Sequence, residues 1–89
     1  MVNVHTERRF EISRKADQFI QSLPVKLRRR IKEAVDYLIK GDVRHLDIKP
    51  LSPYPHEYRL RVGKIRVLFR ADKELLFIIK AGFRGDVYK

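Results

Sequence analysis

The segment from Glu57 to Arg70 constrains this chain more than any other. Tyr58, Leu60 and Val62 alternate with Glu57, Arg59 and Arg61, and after Gly63-Lys64, Ile65, Val67 and Phe69 alternate with Arg66, Leu68 and Arg70. Alternation of period two on both sides of a two-residue Gly-X loop predicts a β-hairpin. If the turn sets the register, Val62 faces Ile65, Tyr58 faces Phe69 and Arg61 faces Arg66. One face of the hairpin is then an apolar ladder. The other sets arginine across from arginine, and like charges directly opposite destabilise a sheet. A sheet serving stability alone has no use for that pairing, whereas a face that receives a polyanion does.

The rest of the composition supports an anionic partner. The 89 residues carry 21 Lys and Arg against 11 Asp and Glu, a formal net charge of +10. Both parts are basic: eleven cations against seven anions over residues 1–48 (+4) and ten against four over 49–89 (+6). Such a charge points to nucleic acid or a strongly acidic protein. The length predicts a single domain, residues 1–89, with one sheet and one layer of helices, because a chain this short buries only about 60–65% of its unfolded surface. There is no cysteine, which removes disulfides and thiolate metal sites and fits a reducing compartment. No segment approaches the roughly 20 apolar residues of a membrane span, and the first residues lack a signal-peptide run. The expectation is a cytoplasmic protein with no membrane partner.

Elsewhere the pattern alternates between strand and helix periods. Arg8–Ser13, with Phe10 and Ile12 on one side, predicts a first strand, and Ser13 or Arg14 opens a helix with Ala16, Phe19, Ile20 and Leu23 as its apolar stripe. Pro24 suits the start of a second helix, whose buried face is Leu27, Ile31, Ala34, Val35, Leu38 and Ile39 and whose C-terminal cap is Gly41. Residues 42–56 connect to the hairpin, with Ile48–Leu51 as a short extended piece. Leu75–Ile79 is almost wholly apolar and belongs in the centre of the sheet. The predicted fold is α+β: an αα-hairpin on a small antiparallel sheet of about four strands, in the order β-α-α-β-β-β.

Familiar catalytic devices are missing from the sequence. His5, His45 and His56 lack metal-ligand spacing, and there is no phosphate loop or nucleophile motif. No metal and no cofactor is expected. What remains is a cationic face of Arg59, Arg61 and Arg66, which Arg84 and Tyr88 can join from the end of the chain. Guanidinium groups clamp phosphates through paired hydrogen bonds, and a phenol can stack on a base or exchange a proton. Such a set can cleave RNA without metal. The 2′-hydroxyl attacks its own phosphate in line, and the cations stabilise charge on the phosphoryl oxygens. DNA lacks that hydroxyl and is spared.

These residues also carry a family likeness. Over nearly its whole length the chain resembles the RelE/ParE superfamily of bacterial and archaeal toxins. The likeness lies in Phe10-Glu11-Ile12 with the helix ending Ser22-Leu23-Pro24, in Ile48-Lys49-Pro50-Leu51, in Tyr58–Phe69, and in Gly82-Phe83-Arg84-Gly85-Asp86-Val87-Tyr88. RelE-type members cut mRNA in the ribosomal A site, whereas ParE-type members inhibit DNA gyrase and lack the cationic nuclease set. Carried over by motif, the RelE-type set falls on Arg59, Arg61, Arg66, Arg84 and Tyr88. Lys49, Arg70, Lys80 and Lys89 are expected to hold further RNA phosphates. The resemblance implies a toxin of a type II toxin–antitoxin system, an mRNA endoribonuclease acting on ribosomes, with an inhibitory acidic antitoxin as partner. The alternatives are a gyrase inhibitor or a non-catalytic RNA-binding member.

One departure matters. Some RelE-type toxins have lysines where this chain has Arg59 and Arg61, and a lysine there is implicated as proton acceptor. Arginine stays protonated and is a poor base, so Arg59 and Arg61 are assigned to phosphate binding. Tyr88, Glu57, His56 and Lys49 remain as candidates for the proton. Glu57 is equally a salt-bridge partner for Arg70, its cross-strand neighbour.

Overall fold

The computed structural model describes residues 8–51, 53–85 and 87. Its elements are β1 (Arg9–Ile12), α1 (Arg14–Gln21), α2 (Val25–Lys40), β2 (Asp47–Pro50), β3 (Glu57–Val62), β4 (Ile65–Ala71) and β5 (Leu75–Phe83). Ser13 makes the first turn of the path. Its hydroxyl accepts from Ala16 N–H at 3.2 Å, an N-cap that satisfies one of the free donors of α1. Pro24 occupies the N-cap of α2, and Gly41 ends that helix at φ 79°, a left-handed cap that suits glycine.

The strands form one sheet in the order β1-β5-β4-β3-β2. The hairpin register is the one read from the alternation: Val62 opposite Ile65, Arg61 opposite Arg66, Tyr58 opposite Phe69. Gly63 has φ 59°, the left-handed conformation that a two-residue hairpin loop demands. Two expectations are corrected. The sheet has five strands rather than four, because the extended piece near Ile48 is a paired edge strand, β2. Pro50 at its end is tolerated there, since an edge strand can spare a donor. The sheet is mixed rather than antiparallel, because β1 joins β5 in parallel. In agreement with its composition, the apolar run after Leu75 is interior, flanked by β1 and β4.

The core lies between the helices and one face of the sheet. Leu60, Ile65, Val67, Leu76 and Ile78 from the strands meet Ala16, Ile20, Ile31, Ala34 and Leu38 from the helices, all buried. Truncating one of these leucines or isoleucines to alanine typically costs about 2–5 kcal/mol. α1 packs on β5 and α2 on β3, so among the described residues the opposite face of the sheet carries no helix.

A β-bulge sets what that open face displays. Leu68 pairs with Lys80, but Phe69 pairs with Ile78, so Ile79 is the extra residue on β5. Its carbonyl accepts from the Ser13 hydroxyl at 2.8 Å. An inserted residue reverses the side-chain alternation beyond it. It therefore brings Lys80 and Gly82 onto the same face as Leu68 and Arg66.

Candidate RNA-binding face

Residues directly opposite one another in a sheet share a face, so the register sorts the open face into rows. The first row is Asp47, Arg61, Arg66 and Gly82. The second is Lys49, Arg59, Leu68 and Lys80. The third is Glu57, Arg70, Phe77 and Glu11. The sheet thus collects Arg59, Arg61, Arg66, Arg70, Lys49 and Lys80 on one surface.

Its arginines are not equivalent. The alternation places Arg59 and Arg66 on the solvent side, yet they are only 8% and 7% exposed. Arg59 Nη2 donates to Asp47 Oδ1 at 2.9 Å, and its Nε is buried with no hydrogen-bond partner among the described residues. Arg61, exposed, places Nε 3.6 Å from Asp47 Oδ2. One carboxylate therefore bridges the two arginines of β3. Like charges about 4 Å apart repel by about 1 kcal/mol in water and about 4 kcal/mol near a protein surface. Asp47 offsets that repulsion on the β2 side of the face. Arg66, in the same row, has no carboxylate partner among the described residues, and its Nη1 makes a long contact of 3.5 Å to the carbonyl of Gly63.

Arg84 follows β5 and is tied to the hairpin turn: its backbone N–H donates to the Lys64 carbonyl at 2.9 Å. Its exposed side chain therefore starts beside the turn end of the Arg61–Arg66 row. Tyr88 and Lys89 lie outside the described residues.

Two candidate proton acceptors sit at the other end of the hairpin. Glu57 is four residues from Arg61, a strand distance of about 14 Å, and it faces Arg70 with Oε2 3.9 Å from Nη1. His56, at φ 67°, stands at that same end, and its carbonyl accepts from Ala71 N–H at 2.9 Å. Nearby, the Asp72 carboxylate accepts from the backbone N–H groups of Glu74 and Leu75, both at 2.8 Å. These bonds hold its pKa below the ordinary carboxylate value against the opposing effect of desolvation, with lesser help from the charges of His56 and Arg70. This polar cluster shapes the β4–β5 turn and is remote from Arg66. Lys49 is closer: it is exposed in the second row, across from Arg59. Among the described residues no group of His, Asp or Glu side chains could hold a metal ion.

No protein-family model matches this chain, and no curated protein matches its sequence. Solved structures do match. The archaeal RelE–RelB complex from Pyrococcus horikoshii is 27% identical and superposes at a TM-score of 0.78, covering 92% of this chain and 100% of that one. The DinJ–YafQ toxin–antitoxin complex of E. coli reaches 0.77 at 13% identity, covering 94% of this chain and 100% of that one. YafQ solved by itself matches too, at 0.67 and 15% identity over 88% and 94% of the two chains. A toxin without its antitoxin shares the architecture, so the likeness is to the toxin. The chain has the RelE-type toxin fold.

Within that fold, Arg59, Arg61, Arg66 and Arg84 gather on or beside the helix-free face, while Glu57 and His56 do not reach Arg66. Asp47 is the residue of this face that periodicity does not single out, although it pairs with both Arg59 and Arg61. Its signal is nonetheless present: pairing Ile48-Lys49-Pro50 antiparallel to β3 puts Asp47 across from Arg61. On the helix side, a groove of about 580 Å³ runs between α1, α2 and β1. Phe10, Ile12, Val25 and Val35 line it, together with Arg28, Arg29 and Lys32 and the carboxylates of Asp17 and Asp36. Among the described residues no helix is long and apolar enough to cross a membrane.

Proposed function

We propose that this chain is the toxin of a type II toxin–antitoxin pair, an endoribonuclease that cuts mRNA in the ribosomal A site. The observation that carries the proposal is the Arg61–Arg66 pair on the helix-free face of a RelE-type fold, with Arg84 tied to the same turn. In the proposed reaction the 2′-hydroxyl attacks the adjacent phosphate and displaces the 5′-oxygen. A cyclic phosphate and a free 5′-hydroxyl result, so water is not a reactant. Arg61, Arg66 and Arg84 hold the phosphate and stabilise the charge that builds on its oxygens. Arg59, buried and paired with the same Asp47 carboxylate that contacts Arg61, adds positive charge to that face. Tyr88 is the proposed proton acceptor.

The fold neighbours crystallised with antitoxins support a second element, an antitoxin partner; the net charge of +10 makes an acidic one the natural inhibitor in the proposed cytoplasmic setting. The groove lined by Phe10 and Val25, where Arg28, Arg29 and Lys32 outnumber Asp17 and Asp36, suits an amphipathic helix with acidic flanks.

The test is induction in cells, with the 5′ ends of translated mRNAs mapped against those from an Arg66→Ala variant. Cleavage within codons that disappears in the variant is the expected result. Inhibition of DNA supercoiling with no mRNA cleavage would replace this reading with that of a gyrase inhibitor.

A further inference from the structure

The cations of this molecule are compensated unevenly. Arg59 and Arg61 share Asp47, Arg70 faces Glu57, and Arg9 faces Glu11. At the Gly63-Lys64 turn the pattern reverses. Arg30, from α2 on the helix side, lays its guanidinium against the turn: a methyl group built on Gly63 would lie 3.5 Å from Nη1 and 3.7 Å from Nη2. Arg66 reaches the Gly63 carbonyl from the open face, and the Arg84 backbone bonds to Lys64. The Arg30 and Arg66 guanidinium groups thus meet at a two-residue loop that itself carries Lys64 and is joined by the Arg84 backbone, and among the described residues no ion pair neutralises any of these four side chains. Concentrated uncompensated charge opposes folding and raises the local concentration of a polyanion.

We infer that Arg30 and Lys64 form a second phosphate-binding site, one that anchors the RNA strand as it leaves the Arg66 face and wraps the hairpin turn toward α2. The inference rests on the proposed RNA-binding role of the open face and adds a residue from the helical layer. RNA is favoured over an acidic protein because the site is continuous with Arg66 and Arg84, whereas the apolar groove suited to a protein helix is lined by Arg28 and Arg29 instead.

The test is equilibrium binding of the full chain to a 2′-O-methyl oligouridine, which cannot be cleaved, over a range of salt concentrations. Each phosphate contact on a single strand contributes roughly 0.7 to the slope of log affinity against log salt. Arg30→Ala and Lys64→Ala are each expected to lower the slope by about that amount. Arg29→Ala, the same charge change on the groove side, is expected to leave it unaltered. Equal loss in all three variants, unchanged slopes for Arg30→Ala and Lys64→Ala, no binding by the parent chain, or a polyglutamate peptide showing the same dependence would each overturn the inference. Because binding is read without cleavage, the site can stand even if the nuclease reading fails.

Discussion

Asp47 Oδ1 accepts a hydrogen bond from Arg59 Nη2 at 2.9 Å, and its other oxygen lies 3.6 Å from Arg61 Nε. A single carboxylate on an edge strand thereby organises two guanidinium groups on its neighbour. Removing it leaves the Arg59 charge buried without a counter-charge. Asp47→Ala is expected to destabilise the fold by about 1.5–3 kcal/mol, the range for hydrogen bonds to charged groups. Asp47→Asn keeps an acceptor and should lose less. Urea midpoints measure both, and an unaltered midpoint in Asp47→Ala would show that Arg59 needs no partner.

Arg66 is the arginine of the first row that has no carboxylate partner among the described residues. Arg66→Ala should lower cleavage of ribosome-bound mRNA by ~10²–10³, the usual effect of losing one transition-state donor. Because Arg66 is nearly buried, Arg66→Lys is the companion variant: it keeps the charge but not the planar fork. Recovery of full activity by lysine would mean that charge alone suffices.

Glu57 lies about 14 Å along the strand from Arg61 and faces Arg70. Glu57→Gln should leave cleavage at the parent rate and change stability by less than about 1 kcal/mol, as for other surface pairs held at a long distance. A general base supplies about 10²–10⁴ in rate. A loss of that size would restore Glu57 as the proton acceptor.

Asp72 holds two backbone N–H groups at the β4–β5 turn, which lowers its folded-state pKa below 3.8. A lowered pKa means the ionised form is favoured by folding. Its stabilising contribution is complete above the unfolded value near 3.8 and disappears as pH falls through the folded value. The gap in urea midpoint between parent and Asp72→Ala should therefore be constant at neutral pH and narrow only below pH 3.8. A gap that already narrows near neutrality would assign it to another group.

Tyr88→Phe tests the proposed proton acceptor directly. Cleavage should fall by the ~10²–10⁴ of a lost acid–base group. Near-parent rates on ribosomes would remove the phenol from that role.

Local chemistry makes much of this fold legible in the sequence. Ser13, Pro24 and Gly41 mark helix boundaries because capping depends on the residue itself and its near neighbours. The Gly63-Lys64 loop dictates the hairpin register because it has only two residues to work with, and that register alone brings Arg61 to Arg66. The stripe from Leu27 to Ile39 shows which side of α2 is buried. Tertiary pairing decides the rest. The parallel contact of β1 with β5 joins segments more than sixty residues apart, and no local pattern encodes it. The bulge at Ile79 depends on the lengths of two strands and reverses the facing of Lys80. Asp47 becomes the partner of Arg59 and Arg61 only when β2 closes the sheet edge, and Arg30 meets Gly63 only when α2 lies across β3. Periodicity assigns a side chain to a face, but burial and counter-charge depend on which distant element packs beside it. That is why the sequence displays a row of arginines, and only the packed sheet separates those already neutralised from those still available to an anion.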